Sequence, residues 1–153
     1  MRAIYAGSFD PFTNGHLDIV REASKMFEVV YVLICHNPYK LRQTSKQQME
    51  VAIDDTLERE GISNVIVMTC DKLVADVAKD FKVDYLIRGV RNNIDYNYEE
   101  NIATVNEFIN PNIRHIYFRA SDSAISSSMV KELHSYGKDI SSYVPREVLK
   151  VIN

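Results

Sequence analysis

Short runs of β-branched and aliphatic residues alternate along the chain with longer stretches whose apolar residues return every three or four positions. Residues 2–6, 29–35, 65–70, 85–88 and 115–118 read as strands. Several are apolar at successive positions, as strands covered by helices on both faces are. Between them, Val20, Ala23 and Phe27 share one helical face, and Met49, Ile53 and Leu57 share another behind the capping-box pattern Ser45-Lys46-Gln47-Gln48. Leu73, Val77 and Phe81 predict a third helix, and Tyr98, Ile102, Val105 and Ile109 a fourth that turns its apolar side, Tyr98 included, to the core. A short helix through Met129, Val130 and Leu133 stops near Gly137, and a final one opens with Pro145 in its first turn.

A strand–helix–strand rhythm with right-handed crossovers predicts an α/β fold: a Rossmann-like, doubly wound, five-stranded parallel sheet with C-terminal helices. Ligands of such a sheet bind outside the carboxyl ends of its strands, where the strand order reverses. The length, 153 residues, suits one domain over 1–153. A hydrophobic share of 46% with 25% charged residues excludes a disordered chain. Eighteen Lys and Arg against 21 Asp and Glu give a net charge of -3, so no general basic field serves nucleic acid or an anionic membrane. An anionic ligand must meet a local cluster instead. No apolar run is long enough to span a bilayer, and the N-terminus lacks the zones of a signal peptide, so a cytoplasmic location is expected. Cys35 and Cys70 each end an apolar run, with no CxxC pair and no His at zinc spacing; both are expected to be reduced core residues.

Four strand ends carry groups suited to anions. The loop Gly7-Ser8-Phe9-Asp10-Pro11-Phe12-Thr13-Asn14-Gly15-His16 leaves the first strand and enters the first helix. Its glycines allow close backbone approach, and the N–H groups near Thr13 or Asn14 are expected to face an anion. His16, in the first turn, is placed to donate to a phosphate oxygen. The loop matches neither GxGxxG nor GxxxxGK[ST], although it occupies their position. Residues 125–131, ISSSMVK, open a helix after the fifth strand with three hydroxyls, of which Ser126 or Ser127 is a candidate cap. Arg88-Gly89-Val90-Arg91 ends the fourth strand in two guanidinium forks of the kind that match phosphate geometry. Lys40, after Asn37-Pro38-Tyr39, adds a cation at the end of the second.

Thr13-Asn14-Gly15-His16 resembles the T/HxGH signature of the nucleotidyltransferase superfamily, and residues 125–131 resemble its ISS-type signature. The fuller match of residues 7–16, 37–40, 87–100 and 125–133, over essentially the whole chain, is similar to the bacterial phosphopantetheine adenylyltransferase family. The resemblance implies transfer of the adenylyl group of ATP to 4'-phosphopantetheine by direct in-line displacement, giving dephospho-coenzyme A and pyrophosphate. By that resemblance His16 stabilises the transition state, and Ser8 and Phe9 lie near the α-phosphate. Lys40, Val74 and Arg88, with Ser8, hold phosphopantetheine. ATP is held by Gly89, Val90, Arg91, Glu99, Asp122, Ser123, Ala124, Ile125, Ser126, Ser127 and Ser128 together with Ser8, Phe9 and His16. Mg2+ is expected on phosphate oxygens and water, with no protein cage, and coenzyme A is expected as a feedback inhibitor of a homohexamer. Ser8 stands where relatives often carry threonine, which keeps the hydroxyl. Asp122 and Ala124 stand where some carry aromatics, which bears on adenine packing. Lys131 is expected to strengthen the polyphosphate grip, and Glu99 to meet a ribose hydroxyl or a metal-bound water. The superfamily signatures alone would also fit a nicotinate mononucleotide or glycerol 3-phosphate nucleotidyltransferase, or a non-catalytic nucleotide sensor; residues 37–40 with 88–100 favour the pantetheine acceptor.

Overall fold

The computed structural model describes residues 1–119 and 125–152, the side chains of 93–95 excepted. Its elements run β1 (Arg2–Gly7), α1 (Asn14–Met26), β2 (Val29–Cys35), α2 (Lys46–Glu60), β3 (Val65–Cys70), α3 (Val74–Asp80), β4 (Tyr85–Val90), α4 (Asn93–Ile109), β5 (Arg114–Arg119), α5 (Ser127–Ser135) and α6 (Arg146–Leu149). The strands form one parallel sheet in the order β3-β2-β1-β4-β5. The chain therefore winds outward from β1 through β2 to β3, then returns to build β4 and β5 on the other side. Its order reverses between β1 and β4, which is the doubly wound architecture the periodicity predicts. β1 and β4 run further than the sequence pattern suggests, because Gly7, Gly89 and Val90 continue the extended backbone into the loops that carry the chemistry.

Alternation along β1 divides the core. Ala3 and Tyr5 belong to a cluster with Leu17, Val20, Met49 and Ile53, whereas Ile4 and Ala6 belong to a second with Leu33, Val77 and Leu86 on the opposite face. The α1 and α2 stripes are buried as their spacing predicts. α2 ends at Gly61, whose left-handed backbone (φ 71°) leaves its N–H free to close onto Glu58 and Leu57. α6 docks on α2 through Glu147, which accepts from Arg59 Nε (2.5 Å) and from the Thr56 hydroxyl (3.2 Å).

Three local expectations change. Ser45 does cap α2, accepting from Gln48 N at 3.1 Å, but the Gln48 side chain meets the Ser45 hydroxyl. The reciprocal box stands at α1 instead, between Thr13 and His16. Pro145 is the residue before the first turn of α6, not part of it. In α4, Ala103 is buried, whereas Tyr98, Val105 and Phe108 face outward, Tyr98 at 60% and Phe108 at 89% exposure. Tyr98 is thus not a core residue, because α4 carries more apolar positions than the face it lays on the sheet can cover.

Candidate active site

The carboxyl ends of β1, β2 and β4, the start of α1, the start of α3 and the N-terminus of α5 enclose a cleft of about 760 Å³. It sits at the strand-order reversal, where an open α/β sheet leaves a crevice between loops that diverge to opposite faces.

His16 stands at its centre, half-buried, with its ring edge-on to Phe9 (centroids 5.0 Å apart) and tilted against Phe12 and Tyr5. Its Nδ1 accepts the backbone N–H of Thr13 at 2.9 Å, with the Thr13 hydroxyl 3.2 Å away. A nitrogen that accepts a backbone N–H carries no proton, so the hydrogen-bond pattern assigns the remaining proton to Nε2. Burial, reinforced by the Arg91 charge, pushes the imidazole down to about 4, so the ring is neutral at pH 7. The outcome is one fixed N–H donor. Other N–H groups at the start of α1 are engaged within the protein, Asn14 N on Tyr143 O (2.9 Å) and His16 N on Thr13 Oγ1 (3.3 Å). Neither N–H expected to face an anion is free to do so: Thr13 N–H holds the imidazole and Asn14 N–H is bound to Tyr143 O.

Two glycines set how closely the walls approach. A Cβ on Gly7 would come within 3.1 Å of the Phe9 ring, and one on Gly89 within 2.6 Å of Ile19 Cδ1. Phe9 itself occupies the left-handed region at φ 44°, a conformation a bulky side chain adopts only when its surroundings fix it.

Arg88, Arg91 and Lys40 bring cationic side chains to the cleft wall. Arg88 is paired with Glu99 through both its Nε and its Nη2, the latter at 3.0 Å, and donates from Nη1 to Ala6 O at 2.9 Å. Burial works against its charge, but Glu99 outweighs that and holds the guanidinium above its ordinary value. Glu99 thereby fixes Arg88 in one orientation. Since guanidinium has five N–H bonds, two remain for a ligand. Lys40 is exposed, its Nζ 3.5 Å from Ser128 Oγ, and so bridges the β2 loop and the mouth of α5.

The three serines have separate tasks. Ser126 caps α5, accepting from Met129 N (3.1 Å); Ser127 donates to Pro11 O (2.8 Å), tying α5 to the β1 loop; Ser128 faces Lys40. The N–H groups of a first helical turn have no partner inside the helix; here Met129 N is taken by the Ser126 cap, and Ser126, Ser127 and Ser128 line the cleft wall. Lys131 is turned away from that wall. Its Nζ lies 2.7 Å from Asp10 Oδ2 and 3.4 Å from Leu41 O, so it ties the loop after β1 to the segment after β2. Burial raises the Asp10 carboxyl, but Lys131 and the N–H groups of Gln43 and Thr44 more than offset this and keep it below the usual range.

The cytidylyltransferase-like family model matches residues 4–133. Phosphopantetheine adenylyltransferases of Streptococcus pyogenes serotypes M5 and M1 are each 42% identical over 149 residues, covering 95% of this chain and 90% of theirs. The chain belongs to the phosphopantetheine adenylyltransferase family. Its fold also matches two solved structures across 99% of its length. One is a Vibrio parahaemolyticus protein provisionally named nicotinate-nucleotide adenylyltransferase, 98% covered at TM-score 0.64 and 18% identity. The other is a Francisella tularensis bifunctional NMN adenylyltransferase/ADP ribose pyrophosphatase complexed with AMP and a manganese ion, 51% covered at TM-score 0.70 and 14% identity. At such identities these two establish a shared fold.

The adenylyltransferase signatures converge on the one cleft. Ser8, Phe9, His16, Lys40, Val74, Arg88, Gly89, Arg91, Glu99, Ile125, Ser126, Ser127 and Ser128 all line it. Val90 ends β4 but is not in the wall; its neighbours on either side are. Asp122, Ser123 and Ala124 lie outside the described residues. The wall also includes Tyr5, Ile19, His36 and Tyr98, which the sequence reading did not assign to it. The carboxyl-end rule alone would have found His36, which directly follows β2. Both cysteines are free; Cys70 is buried as expected, but Cys35 is half-buried and reaches the cleft wall. Burial, with Cys70 beside it, pushes the Cys35 thiol up to about 12, so it supplies no thiolate nucleophile.

Proposed function

We propose that the protein transfers the adenylyl group of ATP to 4'-phosphopantetheine, giving dephospho-coenzyme A and pyrophosphate. The observation that carries this reading is the neutral His16 imidazole, its proton confined to Nε2, in the wall of a cleft that Lys40, Arg88 and the α5 serines also line. A phosphate oxygen of the acceptor attacks the α-phosphorus, the new P–O bond forms as the α–β bridging bond breaks, and the electron pair leaves on pyrophosphate. The attacking oxygen is already anionic, so no base is required, in keeping with a cleft that offers an N–H donor and cations in place of an activated nucleophile. Negative charge builds on the α-phosphoryl oxygens, where the Nε2–H donates. Lys40, Arg88, Val74 and Ser8 take the acceptor. Gly89, Arg91 and the serines of α5, with Ser8, Phe9 and His16, take the nucleotide.

Mg2+ fits the donor set as an ion that arrives with the polyphosphate: the wall offers hydroxyls and cations, and its carboxylate Glu99 is already committed to Arg88. When bound, it would neutralise phosphate charge, while Lys40, Arg88 and the α5 hydroxyls would hold the phosphates that carry it. Coenzyme A, which contains both the acceptor and the adenylate moieties, is the feedback inhibitor this cleft would admit. The outward stripe of Tyr98, Val105 and Phe108 on α4 offers a surface for contact between copies of the chain; assembly as a homohexamer is the reading proposed, with sedimentation at about six chain masses as the check. A cytoplasmic location agrees with the absence, among the described residues, of any helix long and apolar enough to cross a membrane. Mass spectrometry of the product from ATP and 4'-phosphopantetheine tests the reaction: dephospho-coenzyme A supports it, and ATP hydrolysis to AMP with the acceptor unchanged contradicts it.

A further inference from the structure

Arg42 lies outside the cleft wall and outside every sequence motif, yet its guanidinium reaches across to the loop that leaves β1. Its Nη1 donates to Ser8 O (2.5 Å) and its Nη2 to Phe9 O (3.4 Å), while its Nε is buried without a hydrogen-bond partner. Burial lowers its affinity for its proton, with Asp10 the compensating charge. An arginine held at such cost to one donor is fixed by what the other donors do. They grip the two carbonyls flanking the left-handed φ of Phe9. The Phe9 ring in turn is wedged between Gly7 and the edge of His16. Two residues back along the same segment is Lys40, and the next two N–H groups, of Gln43 and Thr44, are bound by the Asp10 carboxylate at 2.9 and 3.1 Å.

From this geometry we infer that Arg42 is a positioning residue: by holding the Ser8 and Phe9 carbonyls it fixes the Phe9 ring against His16 and locks the segment bearing Lys40 to the catalytic loop. The inference rests on the adenylyl-transfer reading for its kinetic consequence and on geometry alone for its structural one. A misplacement of about 1 Å in a positioned catalytic group can cost roughly 100-fold, so Arg42→Met is expected to lower kcat by roughly 10- to 100-fold.

The experiment combines kinetics of Arg42→Met and Arg42→Lys with the ring-proton resonances of His16, which are sensitive to the edge-on Phe9 ring. Arg42→Met is expected to shift the His16 resonances and lower kcat together. Arg42→Lys, whose single ammonium can hold one carbonyl, should fall between it and the parent in both. A purely structural contribution would lower the thermal midpoint and leave both the His16 resonances and kcat at the parent values. That result, in either variant while folded, overturns the inference. If Arg42→Met does not fold, the lysine variant decides by the same two readings. A parent protein inactive with every acceptor would refute the reaction while leaving the resonance comparison, which needs no substrate, to judge Arg42.

Discussion

At the scale of single residues, the account turns on a histidine whose two nitrogens have different duties. Nδ1 is consumed by the Thr13 N–H, so His16 cannot rotate its donor away from the cleft without breaking that bond. Because burial holds the ring at about 4, its N–H donor is present unchanged from pH 6 to pH 8. The pH profile of kcat should therefore show no inflection from His16 in that range. As pH falls toward 4, protonation of Nδ1 displaces the Thr13 N–H and turnover should drop; an inflection near 6.5 that vanishes in His16→Ala would contradict the assignment. On the proposed reading Lys40 acts differently, since an exposed cation holding the acceptor's phosphate would bind ground and transition states alike. Lys40→Ala should chiefly raise the KM for 4'-phosphopantetheine and leave the KM for ATP within a few-fold of the parent, as steady-state kinetics with each substrate varied will show. His16 and Lys40 were legible as single letters in motifs. Arg42 was not, because its partners lie 33 and 34 positions away and nothing periodic marks it.

Among elements, β4 packs near α1 where Gly89 faces Ile19, a Cβ at Gly89 falling 2.6 Å from Ile19 Cδ1. Gly89→Ala would force the buried Ile19 to move, an overpacking cost of about 1–3 kcal/mol. The thermal midpoint should fall accordingly, and recover in Gly89→Ala combined with Ile19→Val, which removes the Cδ1 that clashes. Failure of the second substitution to help would place the strain elsewhere. A second element contact controls acid stability. The Arg59 side chain, the chief cause, holds Glu147 down to about 2 from its ordinary 4.5. The unfolded chain then takes up its proton first. The resulting stabilisation is complete above about 4.5 and is lost as pH falls toward 2. Glu147→Gln should flatten the fall in thermal midpoint between pH 5 and pH 3 relative to the parent. The strands were readable as short apolar runs because helices cover both of their faces, and α1, α2 and α5 from periodicity because each buries one face. α4 was readable as a helix but not in the face it buries: its apolar positions extend beyond the face it lays on the sheet, and periodicity cannot say which of two apolar stripes is covered.

For the molecule as a whole, strand order is what makes a small acidic protein bind polyanions. With a net charge of -3 no long-range field draws them. The reversal between β1 and β4 gathers loops from distant parts of the sequence, so that Lys40, Arg88, Arg91 and the start of α5 share one cleft. The rhythm of strands and helices made that topology readable. It did not reveal that Lys131 would be spent on Asp10, nor that Glu99 would be spent on Arg88, because those pairings depend on how the loops pack. The most direct test is pyrophosphate release by the purified protein with ATP and magnesium, comparing 4'-phosphopantetheine with nicotinate mononucleotide and the parent with His16→Ala. The account predicts rapid release with 4'-phosphopantetheine alone, falling roughly 100- to 1000-fold in the variant, as removal of a transition-state donor does. Release with nicotinate mononucleotide in place of 4'-phosphopantetheine, or turnover unchanged in His16→Ala, would contradict it.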